Sequence, residues 1–169
     1  MENFDGDERT LQLGSKPRFR LDDQFFMNFA SQVARASTCV KIQVGAVLVR
    51  DTRVLSMGYN GTASGQSHCY EHFSDDLSRE SLGEEEFLKQ HRVFSEEHEF
   101  HAESNVLTFA WKNLIDTSGT TLYCTHCPCF SCAKLIVQAK VARVIYSQPY
   151  DPKTLQFLKE HGVLVEQIL

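Results

Sequence analysis

No apolar run in this chain approaches the roughly 20 residues that a helix needs to cross a bilayer, so no membrane span is expected. The opening stretch, MENFDGDERT, is acidic and polar and does not read as a secretory leader. Basic residues are in deficit: 17 Lys and Arg stand against 22 Asp and Glu, a formal net charge of -5. That balance argues against a broad phosphate-tracking surface for polymeric DNA or RNA and suits a small-molecule substrate. There is no internal repeat and no low-complexity tract. Without a leader, the six cysteines point to a reducing, cytoplasmic setting, where metal ligation is favoured over a disulfide framework.

What remains is an ordinary globular composition, 42% hydrophobic and 23% charged over 169 residues, enough for one domain with a real core. Residues 1–20 carry little pattern and are expected to form a flexible N-terminal arm, with a single domain over 21–169. Residues 23–37 read as an amphipathic helix that Asp22 or Asp23 could cap, with Phe26, Met27, Phe29, Ala30, Val33 and Ala34 at helical spacing. Two strands, Val44–Arg50 and Val54–Asn60, flank a hairpin turn at Asp51-Thr52-Arg53. Residues 62–98 are polar and acid-rich and read as a functional insertion with some helix of its own, around Glu84–Arg92. Helices and strands then alternate: helix His101–Lys112, strand Thr120–Thr125, helix Cys129–Ala139, strand Ala142–Ser147, helix Pro152–His161, strand Val163–Ile168. Alternation of this kind implies an α/β fold with part of the sheet parallel, and the opening hairpin makes the sheet mixed.

The chemistry concentrates in His101-Ala102-Glu103 and Pro128-Cys129-Phe130-Ser131-Cys132. Two C-x-x-C pairs lie side by side here, Cys124/Cys127 and Cys129/Cys132. Cys124 lies in a strand, where residues three apart point to opposite faces. Cys129 and Cys132 open a helix, where residues three apart share a face and the helix N-terminus favours thiolate. Pro128 suits the start of that helix, which does not need its missing N–H. Cys129 and Cys132 are therefore the better ligand pair. With His101 they make three donors and leave a fourth position open, the arrangement of a catalytic zinc rather than a structural one. Glu103, in the first turn beside His101, can reach a water at that position. Each part has a blander reading: a redox or structural cysteine pair, a Cys₄ site without His101, or a hydrogen-bonded core histidine. Their joint occurrence, in order and each opening a helix, favours catalysis.

The pattern H-x-E followed by P-C-x-x-C matches the known signature of zinc-dependent base deaminases. Over about residues 23–160 the chain resembles the zinc-dependent deoxycytidylate (dCMP) deaminases. The resemblance rests on VGAV (44–47), GYNG (58–61), Gly65, Cys69, HAE-x-N (101–105), TLY-x-T-x-x-PC-x-x-CA (121–133), Tyr146 and Tyr150-Asp151. It implies a cytidine-deaminase-like three-layer α-β-α sandwich around a five-stranded mixed sheet. It implies a catalytic zinc on His101, Cys129 and Cys132, with Glu103 shuttling protons while water attacks C4 of dCMP and yields dUMP and ammonia. Asn60 would contact the nucleotide and Tyr150 would line its pocket. Some relatives carry a second, structural zinc in the insertion; Cys39 and Cys69 stand at matching places, and of His68, His72, His91 and His98 the set chosen is Cys39, Cys69, His91 and His98. The resemblance further implies a homo-oligomer, often a hexamer, with dCTP and dTTP as effectors. The chain departs from the family at Thr62-Ala63, Val106, Lys112 and Lys140, none of which bears zinc chemistry. The competing readings are a deaminase of another substrate (CMP, dCTP, a free base, a riboflavin precursor, tRNA adenosine) or a non-catalytic zinc or nucleotide-binding module.

Overall fold

The computed structural model describes residues 21–149 and 151–168. The expected arm over 1–20 and the expected pocket residue Tyr150 lie outside the described residues.

Strand alternation decides the layers. In β1 (Gly45–Arg50), Ala46 and Leu48 pack in one cluster and Val47 and Val49 in another, and all four are buried. A strand buried on both faces needs cover on both sides. On one face lies α1 (Asp23–Ala34), whose Phe26, Met27 and Ala30 pack on Val47, Val49, Tyr123 and Ile145. On the other lie three helices that join Ala46, Leu48, Leu122, Cys124 and Val144 in one core. They are α5 (Ala102–Lys112), α6 (Phe130–Gln138) and α7 (Pro152–Glu160).

The sheet between them runs β2-β1-β5-β6-β7. Its other strands are β2 (Arg53–Tyr59), β5 (Thr121–His126), β6 (Arg143–Gln148) and β7 (Leu164–Gln167). β1 is antiparallel to both β2 and β5, while β5, β6 and β7 are parallel. This is the mixed five-stranded, three-layer architecture expected from the resemblance. The first helix is shorter than its apolar pattern predicts: it ends at Ala34, and Ala36 and Ser37 close it with turn hydrogen bonds before Cys39 enters a different cluster.

Two glycines let the helices lie close. A Cβ on Gly45 would meet the backbone of Ala30 and Ala34 in α1. One on Gly58 would stand 3.0 Å from the Ala102 carbonyl and the Val106 nitrogen in α5. The glycines of VGAV and GYNG therefore serve opposite faces of the sheet, and the second seats the helix that follows His101.

The insertion is ordered. It comprises β3 (Gly61–Thr62), α2 (Cys69–His72), a 3-10 turn at Asp75–Leu77, α3 (Arg79–Leu82), α4 (Glu84–His98) and β4 (Glu99–Phe100). Phe73, Phe87 and Phe94 form a small core of their own with Cys39 and Cys69. β3 and β4 pair antiparallel, Gly61 with Phe100 and Thr62 with Glu99, so the two ends of the insertion are tied together beside His101. α4 runs from Glu84 to His98, past the Arg92 end of the helix expected from the charge pattern.

Arg143 on β6 holds the layers at one point. Its guanidinium reaches Asp23 on α1 with two hydrogen bonds of 2.9 Å and Glu166 on β7 at 2.7 and 2.9 Å. The Tyr123 hydroxyl donates to Asp23 at 2.7 Å. The Arg143 hydrogen bonds hold both carboxyls below their ordinary range. A depressed carboxyl stabilises the fold above its unfolded-state pKa of roughly 4, and that contribution disappears as pH falls through the lower folded value. Arg143→Ala should cost about 1–2 kcal/mol at neutral pH, a figure reduced for solvent exposure. Thermal melts should show the gap between wild type and variant narrowing below about pH 4. Lys140 adopts a left-handed backbone with φ of 55°. Lys140→Gly should therefore raise stability by about 1 kcal/mol, read as a higher melting temperature.

Candidate active site

Two helices begin at the same end of the sheet, and each begins on a donor. His101 is the N-cap of α5 and Cys129 the N-cap of α6, both with extended backbone, and Cys132 follows in the first turn of α6. The Cys129 sulfur lies 3.3 Å and the Cys132 sulfur 3.5 Å from Nδ1 of His101. Donors around a tetrahedral zinc with the usual bond lengths stand about 3.5 Å apart. The three atoms thus already form one face of a zinc tetrahedron, and the residues fit the ion. Burial grades across the group, with His101 exposed, Cys129 half-buried and Cys132 buried, so the fourth position faces open space. Cys124 sits fully buried in the core under α5 and α6, and burial pushes its thiol well up. The structure does not bring it to the cluster.

The electrostatics suit a cation. Cys129 is held as a thiolate, down to about 4, chiefly by a hydrogen bond from Cys132 and also by one from His101. Cys132 is pushed up by sharing that proton and by burial. His101 rises to about 9 because the Cys129 thiolate faces it. A dication between these groups would displace the shared protons. Glu103 lies in the first turn of α5 and is 4% exposed. Burial lifts its carboxyl to about 6, against the opposing pull of its own backbone N–H and of His101. It stands near neutrality, where a group can both accept and return a proton.

The adjoining cavity has a volume of about 710 Å³, within the range of small-ligand sites. Its lining includes Asn60, Glu103, His126, Cys127 and Cys129. Asn60 is in the wall, but its amide is largely engaged: Oδ1 accepts from Val44 N at 2.8 Å and Nδ2 donates to the Ile42 carbonyl at 2.9 Å. One lone pair and one N–H remain for a ligand. Asn105 explains the last letter of HAE-x-N, since its Nδ2 donates to the Tyr59 carbonyl at 2.8 Å and ties α5 to the end of β2. His126, which did not stand out in the sequence, lines the cavity, as does Cys127 of the other C-x-x-C pair, just before Pro128. Burial lowers the His126 pKa.

A second cluster borders the same cavity. The Cys39 and Cys69 sulfurs lie 3.2 and 3.5 Å from Nε2 of His91, and all three residues are buried. His98 does not join them: it is exposed, its ring lies 5.0 Å from that of Phe94, and it stands 3.8 Å from Glu97. On a continuous α4 it sits seven residues from His91, about 10 Å along the helix axis. The side chain that does approach is Glu99. Its carboxyl lies against the Cys39 thiol, and its buried Oε1 has no hydrogen-bond partner. Spacing alone does not single it out, because Glu99 looks like one more member of an acidic run.

Residues 20–148 match the cytidine and deoxycytidylate deaminase zinc-binding region. A deoxycytidylate deaminase from Saccharomyces cerevisiae is 37% identical over 147 residues, covering 86% of this chain and 44% of the yeast protein. One from Enterobacteria phage T4 is 30% identical over 148 residues, covering 74% of this chain and 77% of the phage protein. The chain thus spans less than half of the yeast relative. Among solved structures, the dCMP deaminase of cyanophage S-TIM5, in complex with dCMP and dUMP, superposes with a TM-score of 0.68 at 31% identity, covering 86% of this chain and 95% of that one. The motif, the fold and the preformed three-donor cluster agree with these likenesses, and the chain belongs to the zinc-binding cytidine and deoxycytidylate deaminase family.

Proposed function

We propose that this protein deaminates dCMP hydrolytically to dUMP and ammonia. The observation that carries the reading is Glu103: a buried carboxyl lifted to about 6, set beside an open three-donor cluster in the wall of a cavity. The S-TIM5 enzyme's complex with dCMP and dUMP and the yeast and phage deoxycytidylate deaminases support the choice of substrate.

His101, Cys129 and Cys132 would hold zinc, which acidifies water at the open position to a pKa of roughly 7. Glu103 takes a proton from the attacking water and delivers it to N3 of the pyrimidine as the new C–O bond forms at C4. It then collects the remaining hydroxyl proton and passes it to the amino group. The C4–N bond breaks, ammonia leaves, and the uracil ring keeps its N3 proton. Burial of Glu103 keeps bulk water from short-circuiting the transfer. The free lone pair and N–H of Asn60 would contact the nucleotide, and by the family resemblance Tyr150 would contact it as well. Cys39, Cys69, His91 and Glu99 would hold a second zinc, closed by four protein ligands and therefore structural. Six free cysteines favour a reducing cytoplasm. Phe109 and Trp111 on the outer side of α5 are exposed and support assembly into a homo-oligomer, with dCTP and dTTP as effectors by resemblance.

An ammonia-release screen over dCMP, CMP, dCTP, deoxycytidine and adenosine tests the reading, with dCMP expected to be turned over fastest; release from adenosine alone would overturn it. Glu103→Gln should retain zinc and melting temperature while losing at least about 100-fold in kcat. Elemental analysis of the purified protein should find two zincs per chain, and Cys124→Ser should leave that count unchanged. Loss of a metal from Cys124→Ser would place the ligands on Cys124 and Cys127 instead.

A further inference from the structure

One wall of the cavity comes from the insertion. Arg92, Ser95 and Glu96 line it from α4, and Glu99 follows just past the helix end. These positions are spaced i, i+3, i+4 and i+7, which puts them along one face of the helix. Lys41, which follows Cys39 by two residues, lines the cavity from another segment. Arg92, Lys41 and Glu96 are exposed and mark the mouth, while Glu103 is buried and marks the floor.

Arg92 is unlike the arginines that brace the fold. Arg50, Arg79 and Arg143 each hold a carboxylate. Arg92 has no hydrogen bond or ion pair among the described residues, although Glu96 stands one turn away on the same face. Its neighbour in sequence is His91, whose ring is gripped between the Cys39 and Cys69 sulfurs. The buried cluster therefore fixes α4 one residue away from an uncommitted guanidinium at the mouth of the site.

In a cytidine nucleotide the phosphate lies at the opposite end of the molecule from the C4 amino group. A base seated at Glu103 consequently sends its phosphate outward to the mouth, where a guanidinium can fork two phosphate oxygens. We propose that Arg92 reads the substrate phosphate and that the cluster of Cys39, Cys69 and His91 positions it to do so. This rests on the nucleotide reading above and adds to it. The insertion becomes part of the specificity site, and the second metal site sets phosphate recognition through α4.

The test compares wild type, Arg92→Ala, Arg92→Lys and Cys69→Ser by kcat/KM on dCMP and on deoxycytidine. Calorimetric affinity for dUMP and metal content accompany the kinetics. Arg92→Ala should lower kcat/KM for dCMP about 10- to 100-fold, mainly through KM, and reduce the preference for dCMP over deoxycytidine. Affinity for dUMP should fall by a similar factor at unchanged metal content, and Arg92→Lys should recover part of it. Lys89→Ala, on the same helix outside this cavity, should leave the preference unchanged. Cys69→Ser should lose one metal per chain and, with it, affinity for dUMP. An Arg92→Ala protein that keeps its dCMP preference, or that loses both substrates equally, overturns the assignment of Arg92. A Cys69→Ser protein that loses the metal yet binds dUMP as tightly as wild type overturns the positioning role. If wild type turns over dCMP and Arg92→Ala matches it, only this inference fails. If wild type neither deaminates dCMP nor binds dUMP, the deaminase reading fails and takes this inference with it.

Discussion

The site depends on two helix N-termini meeting at one end of the strands, beside the central β5. An N-cap residue has extended backbone, so its side chain is free of the helix and can point beyond the first turn. His101 and Cys129 both occupy such positions, and Cys132 shares the first turn of α6. The partial positive charge at each helix start favours the thiolate that a metal requires. The meeting point is set by packing: Gly58 admits α5 against β2, Asn105 ties that helix to the Tyr59 carbonyl, and β5 delivers the chain to Pro128. A larger residue at 58 would displace the Ala102–Val106 segment and shift Glu103 with it.

The two cysteine and histidine clusters use similar donors for different ends, and burial separates them. At His101 the donors grade from exposed to buried, leaving one side of the tetrahedron facing a cavity. At His91 all three donors are buried, and the Glu99 carboxyl, with an unpartnered oxygen, lies against Cys39. An open position gives a substrate access; a closed one fastens chain segments distant in sequence. The second cluster fastens the segment after α1 to the insertion, joining Cys39 to Cys69 and His91.

Much of this was legible in the sequence because the signals were periodic or chemical. The β1 and β2 hairpin, the alternating helices and strands after residue 100, and the choice of Cys129 and Cys132 over Cys124 all follow from spacing and helix geometry. The insertion was harder to read. Pairs such as Gly61-Thr62 and Glu99-Phe100 are too short to show a period, yet they form the ribbon that ties its ends. His98 looked as good a ligand as His91 because sequence proximity does not reveal where a helix stops. Once α4 is continuous to residue 98, its rise carries His98 away and brings the chain back at Glu99. Lys140 shows the reverse case: one of the chain's departures from the family pattern falls at a left-handed backbone position, which glycine adopts without steric cost.

The insertion also changes how the cavity is built. The two helix starts at the end of the strands supply the reacting groups, and another side of the cavity is lined from the insertion. α4 supplies that wall, and a helix whose first turn carries Glu84, Glu85 and Glu86 gains little support from apolar burial along its outer side. Its hold comes from a short aromatic cluster of Phe73, Phe87 and Phe94 and from the grip on His91. Such a small core fixes position weakly by itself, since the area it buries is limited. A metal joined to Cys39, Cys69, His91 and Glu99 would add strong directional bonds at the helix face that lines the cavity. The cluster of Cys39, Cys69 and His91 thus sits next to the cavity wall that α4 supplies, where the helix is held.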